Sequence, residues 1–164
     1  HRGNVQAELL QNGRVILERM TREIRQAEEM VTSLPQIPDN EDNPPAQEIE
    51  FQDGHTPSPY EALGSDYYYI RYYIPAGSQE VHRQYRVYCF DPCETCVSFF
   101  RWNDSMIVGE DLVIAQPCDL EDKVIGEYVA EQKFWGTGLI NILFTLNKHQ
   151  EIMELKTSVY ERNL

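Results

Sequence analysis

From Leu9 to Leu34 apolar positions recur in alternating steps of four and three: Leu9, Gly13, Ile16, Met20, Ile24, Ala27 and Val31. On an α-helix that spacing gathers them on one stripe, which Leu17, Met30 and Leu34 widen. The remaining surface carries Arg and Glu, with Glu18/Arg22, Arg19/Glu23 and Arg25/Glu29 four apart, each pair worth about 0.3 kcal/mol. Pro35 and Pro38 stop the pattern, because a proline disfavours helical geometry in the residue before it. A helix of this span would be about 40 Å long, more than one small sheet can cover. One end is therefore expected to project or to meet a partner.

The pattern then changes period. Residues 35–47 are rich in proline and acid and have little capacity to pack. Ile49 and Phe51 alternate with charged neighbours, which predicts a short strand, and Thr56–Pro59 reads as loop. Asp66–Pro75 predicts a strand of high β-propensity, with Tyr68, Ile70, Tyr72 and Ile74 on one face and Tyr67, Tyr69, Arg71 and Tyr73 on the other. Val81–Phe90 and Val97–Trp102 continue the alternation across a turn at Asp91 and Pro92. Asn103–Glu121 reads mostly as loop, with a short strand at Asp111–Ala115. Tyr128–Phe134, Leu139–Asn147 and Glu151–Tyr160 predict three antiparallel strands, turned at Gly136–Gly138 and at Lys148–Gln150. One helix before about seven strands with short connections predicts an α+β fold, a long N-terminal amphipathic helix packed on an antiparallel β-sheet. The absence of βαβ order excludes doubly wound nucleotide-binding folds. The expected organisation is a helical segment over 1–34, a linker over 35–47 and a β domain over 48–164.

Composition narrows the function. The 164 residues are 41% hydrophobic and 25% charged, with a mean hydropathy of −0.52. No apolar run approaches the roughly 20 residues that span a bilayer, and nothing reads as a signal peptide. The net charge of −13 repels phosphate backbones, so nucleic-acid binding is not expected as a main function. Acids cluster at Asp39, Glu41 and Asp42 and again at Asp119, Glu121 and Asp122. These read first as solubilising surface. Calcium coordination is the alternative, since carboxylate oxygens suit that ion, although no EF-hand spacing is present.

Cys89, Cys93, Cys96 and Cys118 admit three readings. An even number allows two disulfides in three connectivities. Seven residues across a turn would let Cys89 and Cys96 face each other, leaving Cys93 to reach Cys118. Four thiolates would equally suit a structural zinc ion. C-x3-C-x2-C is also the spacing with which radical-SAM enzymes hold a 4Fe–4S cluster, but that chemistry needs a β/α barrel, for which this chain lacks the length and strand order. No catalytic constellation is expected: His55, His82 and His149 fall in separate contexts, with no HExxH and no G-x-S-x-G. Gly136-x-Gly138 reads as a hairpin turn, since no helix follows it to make a phosphate site.

Two segments carry a family resemblance. Arg14-Val-Ile-Leu-Glu-Arg-Met-Thr-Arg-Glu-Ile-Arg-Gln-Ala27 resembles the second half of the N-terminal helix of type IV pilin-like proteins, in particular J-type minor pseudopilins of type II secretion and W-type minor pilins. Lys123–Val129, Phe134, the strand LINILFTL and Leu155–Asn163 resemble the closing sequence of the same families, with Thr157, Val159, Arg162 and Asn163 at the places of a Thr/Ser-x-Val-x-x-Arg-Asn ending. The resemblance covers residues 9–34 and 123–163. It implies a non-enzymatic structural subunit that joins a pilus-like fibre beside other pilin or pseudopilin subunits. It further implies anchoring in the inner membrane through an apolar half-helix ahead of His1, a periplasmic domain and no cofactor. In that location disulfides persist. Leu9, Leu10, Gly13, Ile16, Leu17 and Met20 are then the expected subunit-contact residues of the helix.

Ten tyrosines, five of them within Tyr67–Tyr73, leave a second functional reading. Aromatics are enriched at interface cores, so Tyr67, Tyr69 and Tyr73 are candidates for a partner-binding face. A secreted, disulfide-stapled module that binds a protein or glycan through that face is the alternative function.

Overall fold

The structure, a computed structural model, describes residues 2–55 and 59–162. Of the expected loop at Thr56–Pro59 only Pro59 falls within them, and Asn163 of the closing motif lies outside. One α-helix, α1 (Arg2–Arg25), precedes ten strands: β1 (Glu29–Met30), β2 (Ile49–Gln52), β3 (Tyr69–Tyr73), β4 (Val81–Cys89), β5 (Ser105–Val108), β6 (Asp111–Ile114), β7 (Gln116–Gly126), β8 (Val129–Trp135), β9 (Leu139–Lys148) and β10 (Glu151–Tyr160). The strands form three antiparallel sheets, in the orders β1-β2-β3-β4-β7, β10-β9-β8 and β5-β6.

Strand makes up 43% of the chain in those three sheets, so the expected pilin-like α+β arrangement, one helix laid on one sheet, is overturned in favour of a β-rich fold with a helix at its N-terminus. The reason lies in segments with no apolar face to announce them. β7 runs for eleven residues with only Cys118 and Gly126 buried. Its register against β4 sets Asp119 opposite Arg86, and Glu121, opposite Tyr85, pairs diagonally with Arg83 at 3.3 Å. β5 is exposed throughout. Conversely, the strand expected at Val97–Trp102 reduces to one bridge, Phe100 with Tyr88.

The helix is displaced from its expected span of Leu9–Leu34. It begins at Arg2 and ends at Arg25, where the N–H groups of Gln26 and Ala27 bond the Glu23 and Ile24 carbonyls. Beyond this the backbone N–H groups of Glu28 and Val31 donate to Gln52 and Glu50. The sheet edge thus supplies the partners that a longer helix would have supplied from within.

Two glycines bring the helix onto the sheets. A Cβ at Gly13 would lie 2.5 Å from Leu155 Cδ1 and 3.2 Å from Leu146 Cδ1, and one at Gly126 would lie 2.1 Å from Ile16 Cδ1. The helix packs chiefly on β9 and β10 and touches the end of β7. Leu9, Ile16, Met20 and Ile24 share one core with Phe51, Ile70 and Val81 of the first sheet and Ile140, Ile142, Phe144 and Leu146 of the second. In β9 the alternation of buried and half-buried positions is complete from Leu139 to Leu146. Residues 35–47 are stitched to the second sheet at both ends, by Gly136 N–H to the Pro35 carbonyl and by a reciprocal bond pair between Ala46 and Phe134.

Candidate interaction surface

The cysteines build the first candidate region. Cys89–Cys96 and Cys93–Cys118 are disulfides, so these thiols are not free to hold zinc or an iron–sulfur cluster. Cys89 ends β4, Cys118 lies on β7, and the 3₁₀ turn Cys93–Thr95 carries the other attachment. Next to them Tyr69, Tyr88 and Ala115 form a second small core, with Phe90, Phe100 and Trp102 packed against it. Tyr69 and Tyr88 meet edge to face with centroids 4.8 Å apart, Trp102 N–H donates to Tyr69 Oη, and Trp102 Nε1 donates to Glu29.

From this mount projects the β5–β6 hairpin. Ala115 N–H bonds the Asp104 carbonyl at its foot, and its register pairs Met106 with Val113 and Ile107 with Leu112. Gly109 sits at φ 67° at the first central turn position, where a two-residue hairpin turn of type II′ wants glycine. Ile107 is 73% exposed, Leu112 67% and Val108 57%, and the two strands pack principally on each other.

The outer face of the five-stranded sheet is the second candidate, a lattice of paired charges. Arg86 donates to Glu50 at 3.1 Å and to Asp119 at 2.8 Å, and Tyr88 Oη donates to Glu50. Gln84 donates to Asp119 and Asp122 and accepts from Arg71. Asp122 also takes Tyr73 Oη at 2.6 Å and lies 2.8 Å from His82 Nδ1. Burial pushes the Glu50 carboxyl up despite Tyr88 and Arg86. For Asp122, burial is outweighed by Tyr73, His82 and Gln84, which hold its carboxyl below the usual range.

A third group lies on the inner face. Arg83 donates from Nε and Nη2 to the two oxygens of Glu23, at 3.0 and 2.6 Å, and from Nη1 to Glu121 at 3.3 Å. Tyr72 Oη also donates to Glu23, while Tyr60 Oη donates to Glu121 at 2.6 Å. Burial opposes the Arg83 charge, but the Glu23 carboxylate outweighs it and raises the guanidinium pKa.

These placements redistribute the sequence candidates. Leu9, Ile16, Leu17 and Met20 are buried in the chain's own core, Gly13 is buried beneath Leu155 and Leu10 is half-buried. The exposed helix face carries Ala7, Gln11, Arg14, Val15, Glu18 and Arg22. Tyr69 is fully buried, and burial pushes its hydroxyl up to about 12. Tyr67 lies half-buried under Arg101 and Tyr73 under Arg71, so the three tyrosines do not make one open aromatic face. Of the acidic clusters, Asp119, Glu121 and Asp122 are engaged by Arg86, Arg83 and His82, whereas Asp39, Glu41 and Asp42 are exposed. Among the described residues no group of three or more His, Cys, Asp or Glu could hold a metal ion, and no helix is long and apolar enough to cross a membrane. The strand expected at Asp111–Ala115 is β6, but its partner β5 falls in a stretch that reads as loop, because Met106–Val108 is apolar on consecutive residues, a pattern without a buried face. The Val-Gly-Glu-Asp turn between them was the available signal.

No family model, curated protein or solved structure matches this chain.

Proposed function

We propose that the protein is a structural minor subunit of a type II secretion pseudopilus or a type IV pilus, assembling through helix and β-domain contacts near the fibre tip. One observation supports this reading most: the two segments that carry the resemblance meet. Gly13 of the first lies against Leu155 of the second, Ile16 against Gly126, and Glu28 pairs with Arg162 at 2.6 Å. Residues 100 or more positions apart thus form one unit, a helix held against the closing strands. The exposed helix face, with Val15 56% exposed, would lie against neighbouring subunits, an interface that repeats along a fibre without closing. The disulfides suit a domain outside the cytoplasm.

The test is fractionation of the producing cells combined with photo-crosslinking from Gln11, which is exposed on that helix face. The expected result is recovery with the inner membrane and adducts with other pilin-type subunits. Recovery as a free protein in the medium, without such adducts, would overturn the proposal in favour of a secreted recognition module.

A further inference from the structure

We propose that the β5–β6 hairpin is a docking arm, inserted whole into an apolar cleft with a Lys- and Arg-lined rim on a partner protein. The inference stands on the arm's own chemistry and holds whether or not the partner belongs to a fibre. Cross-strand pairing puts Ile107, Leu112 and Ile114 on one face and Met106, Val108 and Val113 on the other. Five of these six are among the large apolar side chains that the chain leaves exposed. A lone two-stranded hairpin is marginal in water, and contiguous apolar surface of this kind marks a contact site. Both faces are apolar, so a cleft that grips the hairpin from two sides suits it better than a flat patch.

The mount supports the same conclusion. The Cys93–Cys118 disulfide closes the segment that contains the arm, and Cys89–Cys96 fixes the preceding turn. Tyr69, Tyr88, Trp102 and Ala115 pack the foot. The arm's base is held in place before any partner arrives, which lowers the ordering cost of binding.

Charge selects the partner. No Lys or Arg occurs from Asn103 to Asp122. Glu110 and Asp111 stand at the tip, Asp91 and Glu94 are exposed on the neighbouring turn, and none of the four forms an ion pair among the described residues. A second copy, with its own net charge of −13, is repelled, as are anionic lipid and nucleic acid. A basic rim around the cleft complements the acids and suppresses wrong partners.

The test replaces Ile107, and separately Leu112, with p-benzoylphenylalanine in the full chain within its producing cells, with Glu154 on β10 as the control position. The expected result is one protein adduct from positions 107 and 112 and none from 154, whose cross-linked peptide is apolar and flanked by Lys or Arg. Combining Glu110→Lys with Asp111→Lys should cut the adduct about tenfold. The unfolding midpoint should stay unchanged, since both side chains are exposed. No adduct, a homodimer, a lipid adduct, an acidic contact peptide or an adduct indifferent to the charge reversal would each overturn the proposal.

Discussion

Gly13 lies so close beneath Leu155 that a Cβ on the glycine would fall 2.5 Å from the leucine's Cδ1. Gly126 stands in the same relation to Ile16, at 2.1 Å, but the two positions differ in what can yield. Leu155 is half-buried and can swing aside, and alanine at position 13 gains about 1 kcal/mol of helix propensity over glycine. Ile16 is 1% exposed and enclosed. Gly126→Ala should therefore destabilise by about 1–3 kcal/mol, and Gly13→Ala should be much milder. Urea unfolding of both variants checks this. Equal losses would mean that the helix does not rest on these two contacts, whereas partial recovery of Gly126→Ala by Ile16→Val would confirm the clash.

Removing Glu23 takes the bidentate partner from Arg83, whose side chain is 10% exposed, and leaves it the longer contact with Glu121 at 3.3 Å. Glu23→Leu should destabilise by about 3 kcal/mol. Adding Arg83→Met should restore much of that, because the buried charge is then gone. Tyr72→Phe, which removes a single donor to Glu23, should cost about 1 kcal/mol. A double-mutant cycle on Glu23 and Arg83 measures the coupling, and additive losses would contradict it.

Stability should peak in mildly acidic solution. Burial pushes Glu50 up from its ordinary 4.5 and Asp53 up from 3.8. For both, the folded state holds the proton more tightly, so stability falls as pH rises above those ordinary values through the folded ones. Burial also opposes the charge of Glu121 and Asp122. There the opposing contacts win, from Tyr60, Lys123 and Arg83 to Glu121 and from Tyr73, His82 and Gln84 to Asp122, and both pKa values are lowered. Their contribution is present above the ordinary carboxylate values and is lost as pH falls through the depressed ones. Unfolding midpoints measured from about pH 3 to about pH 8 should rise and then fall, and Glu50→Gln should flatten the upper limb. A steady rise to neutrality would contradict this assignment.

His149 and Gln150 join β9 to β10 with φ 51° and 68°, a two-residue turn in the left-handed region that Asn-Gly adopts at least cost. The pairing Lys148↔Glu151 fixes that geometry. Replacing the pair with Asn-Gly should therefore stabilise the fold by about 1 kcal/mol, seen as a raised thermal midpoint. An unchanged or lowered midpoint would show that His149 or Gln150 supplies something beyond the turn.

How much the chain disclosed follows from where its core lies. Segments with one buried face were legible. In β9 and β10, Ile140, Ile142, Phe144 and Leu146 share a face with Met153, Leu155 and Val159, and the alternation announced it. The helix stripe was legible as well, but not its bounds: it begins at Arg2, ahead of the stripe, and although Met30 and Leu34 keep the helical period, the edge of β2 draws the backbone away at Glu28. β7 was illegible because charge pairing across a ladder, Arg86 to Asp119 and Arg83 to Glu121, carries no hydrophobic period. Tyr69 looked like surface on its strand, since nothing nearby in sequence shows that Trp102 and Tyr88 cover it. Spacing offered the disulfide pairs as one of three connectivities, with Cys89 and Cys96 flanking a turn, and the choice among them needed the fold that brings β7 beside β4.

The Cys93–Cys118 bond has a consequence for proteolysis. The hairpin carries five exposed large apolar side chains, and both of its ends lie inside the ring which that bond closes. A protease that nicks the turn at Gly109 and Glu110 would break the backbone without releasing either half. The nicked protein should migrate as one band on a non-reducing gel and as two after reduction.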